Sequence, residues 1–192
     1  MGITTNEFFE NIYSVIFSPK AFYENKDIKI SIRVALGTIL FISILIKLTS
    51  SIFDGSIITL TFWSSMFFHI IVTIFLWFFT ALFFEYCAKI FYRENNLSKI
   101  LFYTAFAPVP YIFYAPLNLV KQAGLLGYFL GSIVEFLLYF WIIFLYAYSL
   151  RAAYNISLSR SFMLIFLPFV SFFFAIYWAV CFFIKMGYIF SI

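Results

Sequence analysis

The chain has 192 residues, of which 65% are hydrophobic, 26% aromatic and only 10% charged, with a formal net charge of +4. An ordinary soluble domain carries roughly 25% charged residues, and at this length it still exposes about a third of the surface of its unfolded chain. These figures exclude a disordered chain, a disulfide scaffold and a typical soluble enzyme, and they leave a polytopic membrane protein.

Residues 1–29 read as an interfacial segment. Thr4 and Glu7 have capping-box spacing, so a helix is expected to start there. Phe8, Ile12 and Ile16, with Phe9, Tyr13 and Phe17, recur at i+4 and give one broad apolar stripe beside Glu10, Asn11 and Ser14. Ser18-Pro19 breaks this helix and opens another, with Ser18 as N-cap and Pro19 at the first helical position. Phe22 and Tyr23 are again apolar, among Lys20, Lys26 and Lys29. The stripe either lies in the membrane interface or packs on the end of a helix bundle. With Glu7 and Glu10 early and no basic run before an apolar one, the segment does not read as a cleavable signal.

Residues 30–192 read as one domain of five hydrophobic stretches, about 30–53, 57–84, 100–120, 125–150 and 162–184. Each reaches the roughly 20 residues that a helix needs to cross the hydrocarbon. Lipid leaves no external partner for backbone groups, so the expected fold is all-α: a polytopic bundle of five transmembrane helices behind a short amphipathic helical segment. Arg33 and Lys47, near the ends of the first stretch, must snorkel.

His69 lies in the second stretch, with Thr73 one turn on. The third carries Pro108, Pro110 and Pro116, each of which removes a backbone donor, so this span is expected to be kinked or partly unwound. Such broken helices line substrate sites in transporters, although neighbouring helices can satisfy the freed groups as well. In the fourth stretch, Gly127 and Gly131 form a small-xxx-small pattern that admits a close helix neighbour. Glu135 is one turn further on the same face. Its carboxyl either makes a structural polar contact or binds a proton or cation, with His69, Asn118 and Lys121 as candidate partners. The fifth stretch carries Pro168.

Lysine and arginine fall nine to three between the two sides of such a topology. Lys20, Lys26, Lys29, Arg33, Lys89, Arg93, Lys99, Arg151 and Arg160 face the N-terminal side, and Lys47, Lys121 and Lys185 the other. The positive-inside rule therefore expects a cytoplasmic N-terminus and an exoplasmic C-terminus in the cell (inner) membrane. Pro19, Phe22, Arg151 and Arg160 are the candidate contacts at the cytoplasmic face, toward anionic lipid or a protein partner. No basic cluster is dense enough for nucleic acid.

Cys87 and Cys181 fall near opposite faces and are not expected to pair. Neither zinc-site spacing nor a catalytic motif is present, so no metal, cofactor or enzymatic activity is expected. The 31 Phe and 14 Tyr either reflect codon bias filling lipid-facing positions or form an aromatic cage.

Several segments in order carry a resemblance: Val-Ile-Phe-Ser-Pro-Lys-Ala-Phe-Tyr at 15–23, Ala-Phe-Ala-Pro-Val-Pro at 105–110, and Trp141 through Leu150-Arg-Ala-Ala-Tyr-Asn-Ile-Ser-Leu-Ser-Arg160 leading to Pro168. The chain resembles the Yip family, the Ypt/Rab-interacting membrane proteins of five spans with a cytoplasmic N-terminus. The resemblance implies an integral membrane protein whose eukaryotic relatives are linked to vesicle trafficking and prenylated small GTPases. About 29 residues before the first span are fewer than in many eukaryotic members and suit the short prokaryotic type. Two functions follow as expectations: a non-enzymatic protein that organises membrane or recruits partners, or a small oligomeric transporter or ion pathway using Glu135 and the broken third span.

Overall fold

The computed structural model describes residues 5–25, 28–54, 59–92 and 96–190. They fold into helices α1 (Thr5–Phe17), α2 (Pro19–Glu24), α3 (Ile32–Asp54), α4 (Leu60–Tyr92), α5 (Leu97–Phe106), a 3-10 turn (Val109–Phe113), α6 (Tyr114–Gln122), α7 (Leu125–Tyr154) and α8 (Leu158–Phe190). Among the described residues, four segments are long and apolar enough to cross a membrane: Ile32–Ser51, Leu60–Phe91, Leu97–Gln122 and Leu125–Tyr154. The fifth expected span falls on α8, which is continuous over 33 residues; Pro168 is in it, with its side chain outside the described set. At 33 residues, α4 is about 50 Å long, well beyond a hydrocarbon layer of about 30 Å. It therefore runs two turns past Phe84, where the sequence reading ended the span.

At the centre stands α5, packed against α3, α4 and α7, with every residue from Ile100 to Phe106 buried. Prolines explain why the third span stops and restarts here. Pro108 has no N–H for the Thr104 carbonyl, and the Ala107 N–H turns to that carbonyl instead, at 3.3 Å. The chain then tightens into the 3-10 turn, which carries Pro110 in its first positions. Pro116 is in the first turn of α6, where a proline is tolerated.

Ser18 and Pro19 occupy the N-cap and first helical position of α2, although the Ser18 hydroxyl makes no cap hydrogen bond. Thr4, the other half of the expected capping box, lies outside the described residues. The aromatic stripe of α1 divides in two. Ile12 and Val15 are buried in the core, while Phe9, Tyr13 and Phe17 are exposed. Phe22 and Tyr23 of α2 are both buried, Phe22 with its ring 5.0 Å from that of Phe106.

Candidate functional site: a basic-end cleft and an intramembrane ion pair

The end of the bundle that carries α1 and α2 holds a cleft of 720 Å³ between α2, α5 and the α7–α8 junction. Its aromatic wall comes from Tyr23, Tyr103 and Tyr148, with Tyr23 and Tyr148 stacked at 6.0 Å. Its polar wall includes Lys99, Arg151 and Glu24. The Arg151 guanidinium pairs with Glu24 at 2.8 Å, tying α2 to α7. Both side chains are more than a third exposed, so this pair is worth at most about 1 kcal/mol. Lys99 makes no ion pair among the described residues, which leaves the lining with one positive charge in excess.

Below the cleft the Tyr23 hydroxyl is buried, and burial pushes its pKa up from the ordinary value. It donates to the Tyr103 carbonyl at 3.4 Å. Of the four inner-end candidates, Arg151 lines the cleft, Pro19 is half-buried at the start of α2, and Arg160 is exposed on α8 outside the cleft. Phe22 is turned into the core at 3% exposure and presents no surface to a partner.

Sequence reasoning missed Glu85. This carboxylate is buried on α4; one oxygen accepts the Asn96 N–H at 3.1 Å and the other accepts the Tyr154 hydroxyl. Asn96 is the N-cap of α5, so the negative charge stands at the positive end of that helix. Glu85 thus joins three elements at the floor of the basic end. The available signal was a lone acid between Phe84 and Tyr86, read only as a span boundary.

At the opposite end α6 and α7 form a tight hairpin around Gly124, whose φ of +90° suits glycine. Gly127 and Gly131 both face α6. A Cβ on Gly127 would fall on the Val120 carbonyl oxygen, and one on Gly131 would come 2.5 Å from Lys121 Cγ. This close approach lets the Lys121 side chain run along the glycine face and reach Glu135, and the two form an ion pair. The Tyr139 hydroxyl donates to the second carboxylate oxygen at 3.3 Å. Of the three expected partners of Glu135, the structure brings in Lys121. Asn118 is half-buried on α6, and His69 lines a separate cavity against α3; neither bonds the carboxylate.

No curated protein and no solved structure matches the chain. A family model does: the Yip1 domain matches residues 13–179, from within α1 to within α8. That range takes in both the cleft and the hairpin, and with the apolar helices above it settles the kind of protein. The chain belongs to the Yip family and is an integral membrane protein.

Proposed function

We propose that this protein is a non-enzymatic, five-span member of the Yip family, with α8 as the fifth span and a cytoplasmic N-terminus, that organises membrane or recruits a protein partner at its cytoplasmic face. The observation that carries the reading is the cleft of 720 Å³ at the basic end, where Lys99 and Arg151 stand over an aromatic wall. Membrane lipids and a protein ligand both meet the chain there, and the exposed Tyr13 and Phe17 of α1 extend an apolar surface from the same end, with Phe9 further along the bundle beside Phe41 of α3. The family match supports the membrane class. The nine-to-three distribution of Lys and Arg supports the orientation.

The test is affinity capture from native membranes in mild detergent, comparing wild type with a Lys99→Gln/Arg151→Gln variant of equal expression and thermal stability. A set of proteins or anionic lipids that is lost with the two charges is the expected result. An identical set from both overturns the reading. The competing function, an ion pathway through Glu135, is opposed by Lys121, which already neutralises that carboxylate. Proteoliposome flux that is present in wild type and abolished by Glu135→Gln would favour it instead.

A further inference from the structure

Halfway along the spans, the broken third span leaves a partly open cavity of 260 Å³ against α3, α4 and α7. Its walls are largely apolar, with Ile42 and Ile46 from α3 facing Tyr111 of the 3-10 turn and Tyr139 of α7. Among the described residues, no carboxylate, ammonium or guanidinium group lines it.

Ser43 also lines this cavity. It is 1% exposed, and its Oγ has no hydrogen-bond partner among the described residues. Its neighbours on the same helix behave differently. Thr38 donates to the Val34 carbonyl at 2.9 Å and Thr49 to the Leu45 carbonyl at 2.7 Å, the usual way for a helical hydroxyl to be satisfied in an apolar setting. Buried hydroxyls without a partner are rare because they forfeit their hydration with no return. Other hydroxyls around the cavity are already engaged: Thr73 with the His69 carbonyl at 2.8 Å and Tyr139 with Glu135. The Tyr111 and Tyr114 hydroxyls and the His69 imidazole also line the cavity, but the Ser43 Oγ is the polar atom that stands fully buried without a partner among the described residues.

We propose that this cavity binds a neutral membrane amphiphile, an apolar chain or ring bearing one hydroxyl or carbonyl oxygen that pairs with Ser43. The volume exceeds the about 150 Å³ of an apolar cavity that holds benzene. An ion would find no counter-charge here. A phospholipid keeps its esters and headgroup at the interface, so its oxygens do not reach this depth. A neutral, singly oxygenated molecule crosses the hydrocarbon freely and matches a largely apolar wall that holds one buried, unpartnered hydroxyl. This site is separate from the basic-end cleft, so neither proposal depends on the other.

The test uses the full chain in phosphatidylcholine nanodiscs with two clickable diazirine probes, a long-chain alcohol and the hydrocarbon of equal length without the hydroxyl. Photolabelling of the α3 and 3-10 peptides is expected to be roughly three- to tenfold stronger with the alcohol, the ratio one hydrogen bond supplies. Ser43→Ala keeps the helix and the volume, and it is expected to bring the alcohol down to the hydrocarbon level. Ile46→Trp fills the cavity and is expected to remove labelling by both. Leu40→Trp, on the exposed side of α3, is the control that leaves labelling unchanged. Equal labelling by alcohol and hydrocarbon in wild type overturns the proposal, as does labelling that persists in Ile46→Trp.

Discussion

Ser149 shares its hydroxyl between the Leu145 carbonyl of its own helix at 2.8 Å and the backbone carbonyl of Tyr103 at 3.1 Å, bridging α7 to the end of α5. The bond to Tyr103 is a consequence of Pro108. Once the Ala107 N–H has moved to the Thr104 carbonyl, the Tyr103 carbonyl lacks its helical partner and is deeply buried. Tyr23 from α2 and the shared hydroxyl of Ser149 from α7 stand in its place. The break in the third span is thus tied to the docking of the N-terminal segment, which couples the cavity level of the bundle to its basic end.

That shared acceptor makes Ser149→Ala and Tyr23→Phe non-additive. Each alone leaves one donor on the carbonyl and is expected to cost about 1 kcal/mol or less. The double variant leaves the carbonyl orphaned, and its loss is expected to exceed the sum of the singles by about 1 kcal/mol. Thermal unfolding of the purified protein in detergent measures all three, and strict additivity would refute the shared-acceptor account. Tyr23 adds a pH signature. Burial raises its folded-state pKa, so its contribution is complete below the unfolded value near 10 and is lost as pH rises through the higher folded value. Tyr23→Phe is expected to flatten the alkaline fall of stability above about pH 10.

Glu85 is expected to be a costly residue to remove. Truncation to Ala removes the acceptor shared by the Asn96 N–H and the buried Tyr154 hydroxyl, a loss of about 2 to 3 kcal/mol. Tyr154→Phe removes one donor and leaves the carboxylate its Asn96 bond, so about 1 to 2 kcal/mol is expected. Glu85→Gln retains an acceptor oxygen and falls between them. Chemical unfolding with a buried-tryptophan signal orders the three; Trp77, 3.2 Å from Thr104 Oγ1, is a reporter at the α4–α5 contact.

What could be read from the chain follows from the range of the forces involved. Hydrophobic length, proline breaks and the Gly127, Gly131 and Glu135 face are local periodicities. Their physical consequences, from helices to the glycine-lined hairpin, are visible in a window of a dozen residues. Lys121 was within reach as a partner because a two-residue turn returns α7 along α6. Glu85 was not, because its burial is created by Tyr154, 69 residues away. The fate of Phe22 was equally hidden. An apolar face of a short helix serves lipid, a partner or the core alike, and only the position of Phe106 decides among them. The orphan hydroxyl of Ser43 required the whole break at Pro108 to be in place.

The two glycines of the α6–α7 hairpin are expected to differ in tolerance. A methyl at Gly127 meets the Val120 backbone carbonyl and the Ala123 side chain, neither of which can turn aside. Gly127→Ala should therefore push the helices apart, at about 1 to 3 kcal/mol. At Gly131 the obstacle is the aliphatic stem of Lys121, which can rotate away. Gly131→Ala is expected to cost less in global stability while weakening the ion pair to Glu135. Cysteine cross-linking across the hairpin, read with thermal unfolding, separates the two effects; equal penalties would mean that the backbone contact at Gly127 is not the limiting one.

The pair formed by Lys121 and Glu135 is predicted to matter mainly through the cost of breaking it on one side. With side chains 18% and 19% exposed, each retains some outside contact, so the penalty lies below that of a fully buried pair. Lys121→Met leaves a carboxylate on the glycine face with only the Tyr139 and Tyr114 hydroxyls to meet it, and stability is expected to fall. Glu135→Leu does the same to the ammonium. Replacing both at once removes two desolvated charges and keeps the packing against Gly131, so the double variant is expected to recover most of the loss. A double-mutant cycle in nanodiscs checks this directly. Recovery would mark the pair as a structural fastener between α6 and α7, in agreement with its position on the tight hairpin. A double variant as unstable as the sum of the singles would show that each charge has a separate partner, and it would return Glu135 to consideration as an ion-binding group.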